Sequence, residues 1–263
     1  MSQDPPAPTS GLQRLWRLDA PPRGGRPTLS VRRVVAAAVE LADAEGIGAV
    51  SMGRVAEQLG FTTMALYRHV AGKDELLELM SDAAVGEPPP TDGAAPWRAR
   101  AHSWSLAMLR RVREHPWITE VPFSTPPLGP HRVRWMEAGL RALRGCALDA
   151  EQKLAVINTL NGIVWHEVSL EWQQARARDR AGRDPAGAFA DYGRALASVA
   201  APERFPELAA LVADGVFGEP DAAPGPAGPA PVQDFDDPLV AFAVDRFLDG
   251  VELLLERQGG GAG

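Results

Sequence analysis

The chain has 263 residues, a formal charge of −7, 45% apolar residues and one cysteine, Cys146. That length allows one large domain or two modest ones, and a lone thiol excludes an internal disulfide framework and any cysteine-cluster metal site. No run reaches the apolar length of a membrane span. The start has no basic stretch followed by an apolar core, so no signal peptide is expected and the expected compartment is cytoplasmic.

Residues 1–28 are rich in proline and glycine and carry Arg14, Arg17, Arg23 and Arg26. Two readings stand for them: a flexible basic arm that reaches a DNA groove or backbone, and a leader kept solvated by its charges. Ser30 is an N-cap residue. Behind it Val31, Val34, Val35, Ala38, Leu41 and Ala42 recur with the period of a half-buried helix. Gly46 can take the positive φ that stops it. Ser51 caps a second, short helix with Met52, Val55, Ala56 and Leu59 inward, closed by Gly60. Thr62 caps a third, predicted over Thr63–Val70, which buries only Ala65, Leu66 and Val70. A fourth begins at Lys73, where Asp74 and Glu75 suit the positive end of the helix dipole.

Short helices joined by glycine turns have the spacing of a helix-turn-helix. The third helix turns Thr63, Met64, Arg68 and His69 outward, with Tyr67 at its edge and no acid among them. An arginine can bond guanine bidentately and apolar groups can meet a thymine methyl, while tyrosine, histidine and lysine donate to phosphates. The overall charge does not oppose this. Residues 1–73 carry nine Lys and Arg against six Asp and Glu, and the remainder 18 against 28. Positive potential is needed only locally.

Glu87-Pro88-Pro89-Pro90-Thr91-Asp92-Gly93 breaks the chain after the fourth helix. Beyond it every periodic stretch is helical. Trp97, Ala101, Trp104, Met108 and Val112 form one stripe, and Val133, Met136, Leu140 and Leu143 another. Asp149 with Gln152 makes a capping box for a long helix to about Arg178. A further helical stretch covers about 186–213. Residues 218–237 form a flexible loop rich in proline, glycine and alanine. Asp237 caps the final helix, with Pro238 at its first position. No stretch alternates with period two, and the predicted class is all-α.

The long helix places Asn158, Asn161, Trp165, Val168 and Trp172 on one face, with His166 and Glu167 beside them. Amides among aromatics suit a cavity lining, and Trp104, Met108, Trp135 and Met136 can complete it. The same stripe also suits plain core packing. Enzymatic chemistry is not expected: His166 and Glu167 point about 100° apart on a helix, and no histidine pair or carboxylate pair has metal-ligand spacing. No cofactor and no metal site are expected.

The run Val50 to Val70, and especially Leu66-Tyr67-x-His69-Val70-x-x-Lys73 followed by a Leu-Leu pair, resembles the DNA-binding domain of TetR-type transcriptional repressors. The resemblance is strong over Leu29–Asp82. It continues at Phe242–Glu252, which is similar to the last helix of the tetracycline-repressor branch. There the position of Gly53 holds a base-reading arginine; here the arginine comes one residue later, at Arg54.

The resemblance implies a helix-turn-helix DNA-binding domain at 29–86 and a helical effector and dimerisation domain at 94–258. It implies contacts to double-stranded operator DNA through Ser51, Arg54, Thr62, Thr63, Met64, Tyr67, Arg68, His69 and Lys73. A small-molecule effector is expected among Trp104, Met108, Trp135, Asn158, Asn161, Trp165 and His166. A homodimer is expected through Val240, Val244, Phe247, Val251 and Leu254 of the last helix. The implied function is a ligand-responsive repressor released from a palindromic operator by its effector. An activator, or a non-enzymatic helical interaction protein with altered DNA contacts, remains the alternative.

Overall fold

Local capping sets where the first helices begin. The computed structural model describes residues 13, 16, 29–91, 93–122, 128–181, 185–216 and 238–260. The Ser30 hydroxyl accepts from the Arg33 N–H at 3.3 Å and starts α1 (Val31–Glu45), which buries Val34, Val35, Ala37, Ala38, Leu41 and Ala42. Gly46, at φ +82°, ends it and returns its N–H to Ala42 O. A short 3-10 turn, Ile47–Ala49, follows; no periodic pattern signals so brief an element.

Ser51 and Thr62 cap α2 (Met52–Leu59) and α3 (Thr63–Tyr67) in the same way, accepting from Arg54 N and Ala65 N. Between them Gly60 is left-handed at φ +72°, and Phe61 N bonds back to Ala56 O. A side chain at Gly60 would strain the turn that sets α3 against α2. The third helix is shorter than the sequence pattern indicates. Arg68 and His69 form a turn, and the Val70 N–H closes onto Leu66 O as Val70 enters the core. Next comes α4 (Lys73–Val85), where the Glu75 carboxylate accepts the Ala71 N–H ahead of the helix start.

Further along lie α5 (Trp97–Glu114), a 3-10 turn (Pro116–Glu120), α6 (Pro130–Ala142) and α7 (Ala150–Ala181). The expected capping box at α7 is present: Gln152 N donates to Asp149 Oδ1 at 2.8 Å, and Asp149 N to Gln152 Oε1 at 3.1 Å. Helices α8 (Pro185–Val199), α9 (Pro206–Ala213) and α10 (Pro238–Gly260) complete an all-α chain with no strand among the described residues. Most of the 1–28 arm, the 218–237 loop and the Asp237 cap lie outside the described residues.

The chain divides into two compact units, residues 1–169 with 234–263, and residues 170–233. In the first, α4 packs on α1 and α6, and α6 on α5. The α6 stripe is rotated from the expected one. Trp135, Ala138, Gly139 and Ala142 face inward, while Met136 is exposed; Gly139 packs close against the Trp104 indole, where an added Cβ would come within 3.1 Å of the ring. Helix α10 packs on α5, where Arg98 bonds Asp249 at 2.6 Å and Glu252 at 3.0 Å. In the second unit, α8 and α9 pack on each other.

Candidate nucleic-acid interface and its link to the C-terminal helices

On α3, which packs on α2, Leu66 is wholly buried, and that anchor fixes which side of the helix faces out. The outward side carries Met64, 72% exposed, together with Tyr67 and Arg68, with Thr63 and His69 half-buried at its margins. Lys73 is exposed at the start of α4. Ser51 and Thr62 act first as helix caps, so their hydroxyls hold the two helices in place before any partner arrives.

Arg54 already has a partner within the protein. Its guanidinium grips Glu45 of α1 with two bonds of 2.6 Å, and the pair holds the Glu45 carboxyl below and Arg54 above their ordinary pKa ranges. Nothing crowds Gly53 beside it: a Cβ there would meet only the Ser51 hydroxyl at 4.0 Å. Arg54 therefore links α2 to α1 across this corner, with about half of its side chain still open to solvent (47% exposed).

The structure brings together a second group that the sequence pattern did not flag. Asp82 of α4 is only 3% exposed, and its carboxylate caps the start of α6. Oδ1 accepts from Arg132 N at 3.1 Å, while Oδ2 accepts from His131 N at 3.3 Å and meets His131 Nδ1 at 2.9 Å. Gly129 is required beside it, since a Cβ would sit 2.1 Å from Asp82 Oδ1. Arg132 also donates to Ser81 Oγ at 2.6 Å, and its guanidinium lies over the Trp165 ring of α7, 5.4 Å from the centroid. Bonding to Asp82 raises the His131 pKa, against the effect of burial; burial lowers that of Arg132. A carboxylate on the buried stripe of α4, at a position needing a partner, was the available signal.

The expected effector lining divides. Trp104, Met108 and Trp135 are core: Trp104 Nε1 donates to Trp135 O at 3.1 Å, and Trp135 Nε1 to Gly86 O at 3.0 Å. Their rings meet edge to face, 6.1 Å apart. Asn158 and His166 are exposed, because α7 buries Val156, Ile157, Leu160, Val164 and Val168 instead. Asn161 and Trp165 sit half-buried between the two sides. These seven residues do not form one wall.

The residues expected at a dimer seam divide in the same way. Val240, Val244 and Val251 are buried within the chain, with Leu248, on the side of α10 that meets α5. A side chain already covered by its own subunit offers no surface to a second one. Phe247 is half-buried, and Leu254 is exposed. The apolar groups that α10 leaves open are Leu239, Phe242, Leu253 and Leu254, and α7 leaves Leu154 open.

Known proteins match along most of the chain. The family of bacterial regulatory proteins of the tetR type matches residues 34–80, and the tetracyclin repressor-like C-terminal domain matches residues 89–221. The HTH-type transcriptional repressor DrrR1 of Streptomyces coeruleorubidus is 36% identical over 252 residues, spanning 95% of this chain and 87% of that protein. The TetR family protein ActR of Streptomyces coelicolor, in complex with actinorhodin, superposes with a TM-score of 0.65 at 26% identity, over 87% of this chain and 99% of ActR. BioQ with its double-stranded DNA operator gives a TM-score of 0.50 at 27% identity, over 59% of this chain and 93% of BioQ. No described helix is long and apolar enough to cross a membrane. With both family domains matched and their order preserved, the chain belongs to the TetR family of transcriptional regulators and is not an enzyme.

Proposed function

We propose that the protein is a ligand-responsive repressor that binds a palindromic operator as a homodimer and leaves it when a small-molecule effector binds. The observation that carries this reading is α3: a capped helix anchored by Leu66, with Met64, Tyr67 and Arg68 turned to solvent in a domain of tetR type. One such helix touches few base pairs, so specificity needs a second copy. Two recognition helices roughly 34–36 Å apart would enter successive major grooves. Residues 29–86 then form the DNA-binding domain and 94–258 the effector and dimerisation domain.

Thr63, Met64 and Arg68 face base edges in this reading, while Tyr67, His69 and Lys73 hold phosphates, with Ser51 and Thr62 at the groove margin. Anisotropy titrations with the DNA upstream of the protein's own gene test the division. Arg68→Ala is expected to cost about 1–3 kcal/mol and relax preference at one base pair per half-site. Lys73→Ala is expected to weaken binding to all sequences alike and lower the salt slope by about one. Equal changes in sequence preference for both would refute the division.

The effector is proposed to bind at the half-buried Asn161 and Trp165; the Arg132 guanidinium over the Trp165 ring supports this, because that stack leads through Ser81 to α4. ActR, bound to actinorhodin, is the precedent for a ligand in this architecture. Trp165→Ala should abolish the response of DNA binding to effector without changing operator affinity. Loss of operator binding as well would identify Trp165 as a packing residue.

A further inference from the structure

A half-open cavity of about 360 Å³ lies where the DNA-binding helices meet α6. Val35 and Val39 of α1, Leu79 and Ala83 of α4 and Pro130 of α6 supply apolar walls. The polar end is the Asp82–His131 pair, and His115, just after α5, also faces the space. None of its described lining residues belongs to α7 or α10, so it is separate from the Trp165 stack.

We propose that this cavity is a second small-molecule site, taking a neutral, mostly apolar compound with one hydroxyl or N–H group, and that its occupant changes operator affinity. Size and charge select that class. A volume of this order holds a compact aromatic molecule, and apolar walls with a few polar groups are the usual composition of a ligand pocket. Charges of both signs line the space. Arg32 and the Asp82-bonded His131 stand beside Glu40 and Asp82. An ionic ligand would lose hydration among valines and alanines. Both Asp82 oxygens are already engaged with α6, so this carboxylate is not the group that meets the ligand. His115 is better placed in its chemistry. Nδ1 lies 2.8 Å from Asp43 Oδ1, which leaves Nε2 as the remaining polar atom of the ring. With Nδ1 donating to Asp43, that nitrogen is an acceptor and suits a single hydroxyl or N–H group.

The effect on DNA follows from who owns the walls. Helix α4 packs on α1, and α1 on the α2 that carries α3, whereas His115, Pro130 and His131 come from later in the chain, at the end of α5 and the start of α6. A molecule between them prefers one spacing of α4 against α6, and any difference in its affinity for two spacings shifts their populations.

N-phenyl-1-naphthylamine, a neutral dye that brightens in apolar surroundings, is the probe, titrated into the full chain. We expect binding to the wild type, with movement of the His115 and His131 ring signals among the protein's five histidines in labelled samples. Ala36 and Ala83 are exposed at the mouth, so Ala36→Leu with Ala83→Leu narrows it without disturbing the core. The double variant should keep its melting temperature and weaken this binding by about tenfold or more, while Trp165→Ala should leave it unchanged. No dye binding, unaltered binding in the narrowed variant, or motionless His115 and His131 signals would overturn the site. With dye bound, operator affinity should change several-fold, and operator should change dye affinity by the same factor; an unchanged operator affinity would overturn the coupling. If the dye-free wild type does not bind operator, the repressor reading fails, while the dye and histidine measurements still decide the cavity.

Discussion

Phe242→Glu combined with Leu253→Glu is expected to give a folded monomer that has lost tight operator binding. Both side chains lie on the open side of α10, 58% and 47% exposed, so neither substitution disturbs the contact with α5. In a dimer the same positions would be covered, and an unpaired carboxylate buried there is strongly disfavoured. Loss of the second half-site should weaken specific binding by about 10³-fold or more, toward the level of non-specific association. Val244→Glu provides the contrast. Val244 is wholly buried inside the chain, and a charge there should unfold it. Sedimentation velocity with circular dichroism separates the outcomes. A Phe242/Leu253 variant that stays dimeric rules out this side of α10 as the interface, and a folded Val244→Glu would contradict the packing described above.

The second large effect is expected at Asp82. Replacement by alanine leaves the His131 and Arg132 amides uncapped and the imidazole without its carboxylate, in a site with 3% exposure. Removing one partner of a buried, hydrogen-bonded pair costs about 2–4 kcal/mol when the other partner keeps some access to solvent. The pair also predicts a pH dependence with a definite sign. The folded-state pKa of His131 is raised, chiefly by its bond to Asp82. Its contribution to stability is therefore complete below the unfolded-state value of about 6.5 and is lost as pH rises through the higher folded-state value. Glu87, 3.6 Å from Nε2, acts in the same direction, and Arg134 opposes it. Melting curves between about pH 5.5 and 8.5 should show this loss in the wild type and a flatter profile in Asp82→Asn. Equal slopes in the two proteins would show that the pair is not linked to stability.

What the sequence determined by itself was local or pattern-based. Ser30, Ser51, Thr62 and the Asp149–Gln152 box each satisfy an amide within three residues of their own position, so the helix starts they mark required no knowledge of neighbours. The stops at Gly46 and Gly60 are equally local, because a positive φ is a property of one residue. An absence of period-two alternation was enough for the all-α class, and the wording of Val50–Val70 for the family.

What only the tertiary structure decided was the rotation of each helix and the partner of each charge. Helix α10 carries apolar residues around much of its circumference, so its period could not distinguish the side against α5, with Val240, Val244 and Val251, from the open side, with Phe242 and Leu253. Helix α7 has the same ambiguity: a stripe through Asn158 and Trp165 and a stripe through Ile157 and Val164 differ by one residue, and packing buried the second. Arg54 binds Glu45 nine positions away, and Asp82 caps a helix that begins 48 residues later. Pairings of that kind follow from how whole helices stack. Hydrogen bonds between distant residues leave no periodic trace in the chain that makes them.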